Sequence, residues 1–228
     1  MTDVLPGPAD FRLHHRLRVR WAEVDLQKVV FNPHYLMYVD TAIADYWRAH
    51  ALPYEQTLAA LGGELFVKKS TLEFHASALY DDQLTVGLRC ARIGNSSLQF
   101  VRGIFRGEEL LVSAELIYVF ADPVSRRALT VPDALRHTML GYENGAPVVT
   151  RQVGDWNALQ VGVLALRAMD EHDAAARHCV LRNALGEPVA TARILPGATQ
   201  ADGVAVMPSL QGAGWGKAAL AALSPASA

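Results

Sequence analysis

The chain has 228 residues, of which 51% are hydrophobic, enough for one large domain or two small ones. Its 21 Lys and Arg residues against 23 Asp and Glu give a formal net charge of −2. This balance indicates neither a nucleic-acid-binding surface nor a membrane-surface patch. No segment reaches the ~18–20 apolar residues of a membrane span, and the N-terminal sequence lacks the pattern of a signal peptide. With only two widely spaced cysteines, Cys90 and Cys179, we expect free thiols and a cytoplasmic protein that binds neither nucleic acid nor membrane.

The first predicted elements are a strand, a loop and a long helix. The strand covers 13–21, and the loop carries Asp25. Asn32-Pro33 predicts the start of the helix, because Asn is a favoured N-cap and Pro is favoured in the first helical position. The sequence Leu52-Pro53 predicts its end. Apolar or bulky residues recur every three to four positions along it, at Leu36, Val39, Ile43, Tyr46 or Trp47, and His50.

A short helix is predicted over 54–63, and beyond Gly63 the hydrophobic period becomes two. Turn sequences separate four predicted strands, at 64–78, 82–92, 97–106 and 109–121. A strand, a long apolar helix and four successive strands favour an α+β fold, in which one antiparallel sheet wraps around a central helix.

The remaining sequence predicts a second, smaller domain. Residues 122–138 have the character of a closing segment, and 139–150 contain the Gly, Asn and Pro residues of a linker. From residue 151 on, the pattern predicts a helical stretch over 155–170, a hairpin over 177–194 and a strand over 203–207. We therefore predict domains at 1–138 and 151–228.

Asp25 has two interpretations. An Asp that follows a strand is most often a turn or capping residue. However, Asp25 also precedes the N-terminus of a long helix, whose free N–H groups and dipole stabilise negative charge. A carboxylate beside such a helix start is the minimum needed to hydrolyse an acyl bond, either by direct attack or by activation of water.

The sequence DLQKVVFNPHYL, which begins at Asp25, resembles the motif Asp-x-x-Gly-x-Val-Tyr-x-x-x-Tyr of the 4-hydroxybenzoyl-CoA thioesterase family. The later stretch SALYDDQLTVGLRCARIGNSSLQFVRGIF is similar to the same family, and the resemblance covers about 13–136. It implies a hot-dog fold, an acyl-CoA substrate, no separate cofactor, and a homodimer or homotetramer with active sites at the subunit interface.

By this resemblance, Asp25 matches the catalytic Asp of the family. Asn32 matches the helix-start position whose backbone N–H polarises the thioester carbonyl, and Tyr35 matches the Tyr of the motif. The sequence departs from the family at Lys28, where Gly is usual, and at Phe31, where Tyr is common. Lys28 either distorts the loop or places a positive charge near the phosphates of coenzyme A.

Two other groups of residues gave weaker signals. His34 is a candidate general base, but its place in the first helical turn favours a solvent-facing side chain. The sequence DEHDAAARH, at 170–178, has Asp and His residues without the spacing of a zinc motif, so we expect no metal site.

The second domain contains a Gly-rich turn between a predicted strand and a predicted helix. Such turns bring backbone N–H groups close to a pyrophosphate. The turn resembles the acetyl-CoA motif of the GNAT acetyltransferase superfamily, and the hairpin before it resembles the first hairpin of that family. By this resemblance, acetyl-CoA would bind at Gln211, Gly212, Ala213, Gly214, Trp215 and Gly216. Because the sequence stops soon afterwards, it predicts an incomplete GNAT-like domain.

The leading hypothesis is therefore an acyl-CoA thioesterase. A non-catalytic acyl-CoA-binding module is the alternative from another class, and N-acetyltransferase activity would require a completed second domain. A hot-dog dehydratase or hydratase ranks last, because it needs a paired His and acid that Asp25 and Asn32 do not supply.

Overall fold

The computed structural model describes residues 5–224, which form two compact units. The first unit consists of the residues up to Trp47 together with Tyr54–Glu143. The second consists of Arg48–Pro53 together with the residues from Asn144 on.

A five-stranded antiparallel sheet forms the frame of the first unit. Its strands lie in the order β1-β3-β4-β5-β2, so the second strand of the chain joins the sheet at the edge opposite the first. Burial alternates over the first half of β4, where Leu98 and Phe100 are buried, and the run from Arg102 to Phe105 is then buried throughout. The strands are β1 (Leu13–Arg18), β2 (Glu64–Phe74), β3 (Gln83–Ile93), β4 (Ser97–Arg106) and β5 (Glu109–Ala121).

The long helix α1 (Asn32–Ala49) packs on this sheet, and α2 (Tyr54–Ala60) follows it. The Tyr46 ring lies edge-on to Phe100 of β4, with centroids 5.3 Å apart. The α+β fold with a long helix on an antiparallel sheet is thereby confirmed. The predicted apolar stripe was partly wrong, since Leu36 is 39% exposed. The buried face of the helix consists of Tyr35, Tyr38, Val39, Ala42, Tyr46 and Trp47.

A third helix, α3 (Asp133–Glu143), lies where the sequence predicted a closing segment followed by a linker. It buries Leu135, Met139 and Tyr142, which are spaced so that they share one helical face. Arg136 donates from its guanidinium to the carbonyls of Ile93 (2.9 Å) and Gly94 (2.8 Å). The predicted linker, 139–150, therefore overlaps the end of this packed helix, and only its part from Asn144 on lies outside the helix.

The second unit has a four-stranded antiparallel sheet in the order β6-β7-β8-β9. The predicted hairpin is present as β7 and β8, whereas β6 was not predicted. The helix predicted over 155–170 is shorter in the structure, where it ends at Leu164. The elements are β6 (Thr150–Gly154), α4 (Trp156–Leu164), β7 (Arg177–Arg182), β8 (Pro188–Ile194), β9 (Asp202–Val206) and α5 (Trp215–Ala221).

Two general expectations concern the chain as a whole. Among residues 5–224, no helix is both long and apolar enough to span a bilayer. Cys90 and Cys179 are both buried free thiols. Burial raises the pKa of the Cys90 thiol to about 12, so this side chain stays protonated and is a poor nucleophile.

Candidate active site

The loop between β1 and α1 is held by its own backbone. A 3₁₀ helix, Trp21–Glu23, opens it, and an antiparallel bridge then pairs Val24 with Val30. Between these two residues the chain reverses: the Asp25 N–H donates to Val29 O at 2.9 Å, and the Lys28 N–H donates to Asp25 O at 2.9 Å. The tight turn fixes the Asp25 backbone directly before the helix.

The Asp25 side chain is half-buried, and only part of its hydrogen-bonding capacity is used. Its Oδ1 accepts a hydrogen bond from the Gln27 N–H at 2.8 Å. Within residues 5–224, no donor contacts Oδ2. Asp25 is therefore a turn residue, as its position suggested, and it also keeps one carboxylate oxygen available for chemistry.

The first turn of α1 supplies one free backbone donor. The Phe31 N–H, just before the helix, donates to Glu23 O at 3.0 Å, and the His34 N–H donates to Phe31 O at 2.9 Å. Pro33 has no N–H. In the described part of the chain this leaves the Asn32 N–H without an acceptor, at the positive end of an 18-residue helix.

A cavity of about 850 Å³ opens beside Asp25. Its wall combines carboxylates with apolar side chains that are exposed in this chain, such as Trp21 (77% exposed) and Phe31 (52% exposed). His34 also lines it and is half-buried, which differs from the predicted solvent-facing side chain. The lining residues that carry charge or can titrate are Glu23, Asp25, Lys28 and His34.

Lys28 lines the same cavity in an unusual backbone conformation. Its φ is 63°, in the left-handed region that favours Gly. The tight turn at Asp25 needs this conformation, which explains why Gly suits the position. Lys28 therefore adopts this conformation at the cost of local strain, and its side chain is exposed.

Tyr35 lies in the core instead of on the cavity wall. It is 2% exposed, and its hydroxyl accepts a hydrogen bond from the Ala78 N–H at 2.8 Å. Burial raises the pKa of this phenol. The Val30 N–H, at the end of the Asp25 loop, donates to Ala78 O at 2.9 Å. Ala78 is therefore hydrogen-bonded both to Tyr35 and to the loop. These contacts support a structural role for Tyr35.

Glu23 is the functional candidate that the sequence analysis missed. It is a buried carboxylate in the wall of the cavity, two residues before Asp25. The only sequence signal is that it stands three residues after Arg20, a spacing at which a Glu side chain can accept a hydrogen bond from the N-cap N–H. Its hydrogen bond to Tyr38 joins residues 15 positions apart, so no local pattern predicted it.

A second, smaller cavity of about 300 Å³ lies further along α1, lined by residues that include Asp40, Tyr54 and Tyr118. The Tyr118 hydroxyl donates to Asp40 Oδ1 at 2.9 Å and accepts from Arg102 Nη2 at 3.3 Å. Arg102 is fully buried, and its Nε and Nη1 have no hydrogen-bond partner within the described residues. Burial lowers the pKa of this guanidinium.

The predicted acetyl-CoA residues, 211–216, form the turn that leads into α5. Gly212 and Gly214 have φ values of 82° and 88°, and Gly214 is the N-cap of the helix, which begins at Trp215. The helix has seven residues, and β9, which precedes the turn, is an edge strand. The GNAT-like identity of this unit and its coenzyme site stay predictions.

Asp173 is the centre of a buried ion cluster in the second unit. Its Oδ2 accepts from the Asp170 N–H (2.9 Å) and Arg167 Nη1 (2.8 Å), and its Oδ1 accepts from Arg193 Nη1 (2.9 Å). Arg193 also binds Asp202, with Nε and Oδ1 2.9 Å apart. Among residues 5–224, no group of three or more His, Cys, Asp or Glu side chains is arranged to hold a metal.

Comparison with known families identifies the first unit. Residues 19–139, more than half of the chain, match the family described as the thioesterase-like superfamily. The chain belongs to this superfamily. The matched segment contains the Asp25 loop, α1 and the strands β2 to β5. The prediction of a thioesterase enzyme is therefore confirmed at the level of the family.

Individual relatives of this thioesterase unit cover about half of the chain. Acyl-CoA thioester hydrolase YbgC of Escherichia coli is 28% identical over 120 residues, which are 52% of this chain and 89% of YbgC. The crystal structure of the PA5185 protein of Pseudomonas aeruginosa is 26% identical, with a TM-score of 0.53 over 62% of this chain and 99% of that protein. A Thermus thermophilus thioesterase solved with coenzyme A and Zn shares the fold, at 22% identity and a TM-score of 0.52 over 61% of this chain and 98% of that one.

Proposed function

We propose that this thioesterase hydrolyses an acyl-CoA thioester to a free carboxylic acid and coenzyme A, with Asp25 as the catalytic residue. One observation carries the proposal: the Asp25 carboxylate, one oxygen of which has no donor among the described residues, lines a cavity beside the start of a long helix. The relative YbgC, which is named an acyl-CoA thioester hydrolase, supports the choice of substrate class.

In the proposed reaction, a C–O bond forms at the acyl carbon and the C–S bond breaks. Asp25 Oδ2 acts in one of two ways. It accepts a proton from the attacking water, or it attacks the acyl carbon and forms an anhydride that water then opens. Coenzyme A leaves as a thiolate and takes up a proton. The Gln27 N–H keeps Oδ1 in place in both cases.

The negative charge that develops on the thioester oxygen needs a hydrogen-bond donor. The Asn32 N–H is suited to this role, because it lacks an acceptor in the described chain and lies at the positive end of α1. Removal of one such donor in acyl-transfer sites typically costs ~10²–10³ in kcat. Because the donor is a backbone N–H, the Asn32 side chain need not be an imidazole.

Lys28 and the apolar wall of the cavity suit the other parts of the substrate. The exposed Lys28 side chain is a candidate contact for the phosphates of coenzyme A, and such a surface charge pair weakens with added salt. We also propose that the protein works as a homo-oligomer. The exposure of Trp21, Leu26 and Phe31 around Asp25 supports this, since a neighbouring subunit would cover them.

The test is hydrolysis of a panel of acyl-CoAs by the purified full-length chain, with the released thiol measured by a thiol reagent. We expect Asp25→Asn to lower kcat about 10²–10⁴-fold, because it removes the base or nucleophile. Asp122→Asn is a matched control. Asp122 Oδ1 also accepts backbone hydrogen bonds, from Val124 N at 3.1 Å and Ser125 N at 2.6 Å, in an exposed turn.

The control variant should retain full activity. Normal hydrolysis by Asp25→Asn would contradict the role of Asp25. Tight coenzyme A binding by the wild-type protein, with no turnover at any acyl length, would favour the non-catalytic acyl-CoA-binding module instead.

A further inference from the structure

We infer that Glu23 is a positioning residue, which fastens the Asp25 loop to α1 and thereby sets the geometry of the proposed hydrolysis. The inference rests on the proposed function, because it concerns the same site. It adds a residue to which neither the family motif nor the sequence pattern gives a role.

The Glu23 side chain is buried, and each of its carboxylate oxygens has a polar partner. It is 4% exposed, and its Oε2 accepts hydrogen bonds from the Tyr38 hydroxyl and from the Arg20 N–H, both at 2.7 Å. Its Oε1 lies 3.1 Å from Arg20 Nε. A buried carboxylate is costly unless it is paired and hydrogen-bonded, so these contacts hold Glu23 in one position.

The Glu23 backbone makes a further connection. Its carbonyl accepts the Phe31 N–H at 3.0 Å, directly before α1. One residue therefore contacts the start of the loop at Arg20, its end at Phe31, and the second turn of the helix at Tyr38. Asp25 lies between these attachment points, so we expect Glu23 to help set its position relative to the Asn32 N–H.

The contacts also separate the role of Glu23 from that of Asp25. Both oxygens of Glu23 are occupied, whereas Asp25 Oδ2 has no donor in the described chain. Burial and the hydrogen bond to Glu23 raise the pKa of Tyr38, so Tyr38 remains a protonated donor at neutral pH. Glu23 thus orients the loop and neither attacks nor transfers a proton.

The same helix offers a matched control. The Tyr46 hydroxyl donates to Glu143 Oε1 at 2.6 Å, which repeats the tyrosine–carboxylate bond away from the cavity wall. Tyr38→Phe and Tyr46→Phe each remove one hydroxyl from a buried position of α1. Both variants should lose stability, but only Tyr38→Phe should disturb the Asp25 loop.

The experiment combines hydrolysis kinetics, melting temperature and amide hydrogen exchange of segment 24–31 in the full-length protein. We expect Glu23→Ala and Tyr38→Phe to lower kcat about 10- to 100-fold with little change in KM, because small misplacements of reacting groups cost rate. Exchange in 24–31 should accelerate in both. Glu23→Gln should recover most of the rate, because its carbonyl oxygen can accept both bonds made by Oε2.

Three results would overturn the inference. The first is a rate for Glu23→Gln as low as that of Glu23→Ala, which would mean that the rate depends on the charge of Glu23 and not on the hydrogen bonds accepted by Oε2. The second is a loss of kcat in Tyr46→Phe equal to that in Tyr38→Phe at matched melting temperatures. The third is unchanged exchange of segment 24–31 in Glu23→Ala.

A failure of the Glu23 inference can be distinguished from a failure of the proposed function. If Asp25→Asn hydrolyses acyl-CoA normally while Glu23→Ala does not, the role of Asp25 fails and the loop itself remains essential. If the wild-type protein hydrolyses none of the substrates, the exchange measurement alone decides: faster exchange in Glu23→Ala and Tyr38→Phe supports the fastening role, and unchanged exchange refutes it.

Discussion

The loops that carry Asp25 and Asp173 each hold a carboxylate by a backbone amide, yet they use their hydrogen-bonding capacity in opposite ways. Asp173 is completely buried, and both of its oxygens accept from arginines. Asp25 is half-buried and accepts one backbone hydrogen bond, and its other oxygen, which lies beside a cavity, has no donor among residues 5–224. A carboxylate whose partners are complete stabilises the fold, whereas one with spare capacity at a cavity is available to a substrate.

The largest expected effect is on the stability of the second unit. Asp173→Asn removes the charge that compensates Arg167 and Arg193, and loss of one partner from a buried ion cluster typically costs ~3–5 kcal/mol. Urea unfolding, with hydrogen exchange of β7 and β8 as the local probe, measures this loss. Asp25→Asn should leave the free energy of unfolding nearly unchanged. A strong destabilisation by Asp25→Asn would show that Asp25, like Asp173, mainly stabilises the fold.

The pH dependence of stability in the wild type and in Asp173→Asn tests the comparison between Asp173 and Asp25 further. Hydrogen bonds from Arg167 hold the pKa of Asp173 well below its usual range. Because the folded-state pKa is the lower one, the stabilisation is complete above the unfolded pKa of ~3.9 and is lost as the pH falls below it. The stability difference between wild type and Asp173→Asn should therefore be constant from about pH 5 to 7 and shrink below about pH 4. Equal differences at all acid pH values would show that Asp173 is not held ionised.

Arg102 tests whether spare hydrogen-bonding capacity by itself marks a functional group. It is buried, two of its nitrogens have no hydrogen-bond partner in the described part of the chain, and it lies outside the wall of the Asp25 cavity. We expect Arg102→Met to raise the free energy of unfolding by ~1–2 kcal/mol, because it removes unsatisfied buried donors and fills the same space. Denaturant unfolding and hydrolysis assays measure both consequences. A loss of turnover in a stable Arg102→Met protein would give Arg102 a functional role.

The smallest expected effect concerns Lys28. Lys28→Gly relieves a left-handed conformation worth ~1–2 kcal/mol but adds ~0.5–1 kcal/mol of backbone entropy to the unfolded chain. The net gain in the free energy of unfolding should be ~0.5–1 kcal/mol. Removal of the charge should raise KM for acyl-CoA modestly at low salt, with kcat unchanged. A fall in kcat would mean that Lys28 acts on the thioester and not on the coenzyme phosphates.

The sequence predicted most of the first unit because local chemistry determines it. Asn32-Pro33 gave the helix start, and the alternating strands after Gly63 gave the sheet. The prediction was less accurate where tertiary contacts decide. Leu36 fits an apolar stripe in the sequence, but packing of α1 on the sheet selects Tyr35 and Tyr38 for burial instead.

The candidate site was predictable only in part for the same reason. Asp25 and Lys28 belong to one contiguous motif, and both line the cavity. Glu23 escaped prediction because its significance comes from Tyr38, on another element. Helix α3 escaped because its last residues and the sequence after them, together 139–150, contain the Gly, Asn and Pro typical of a linker, whereas its buried face and its contacts with Ile93 and Gly94 show that the segment is packed.

The turn at Asp25 has a consequence for sequence variation. The group that orients Asp25 Oδ1 is the backbone N–H of Gln27, so the Gln27 side chain is not needed for this hydrogen bond. Any amino acid with an N–H can supply the same hydrogen bond, and Gln27 is itself exposed. Position 27 should therefore tolerate nearly every residue except proline. A carboxylate that is oriented by a backbone N–H keeps its geometry when the neighbouring side chains change.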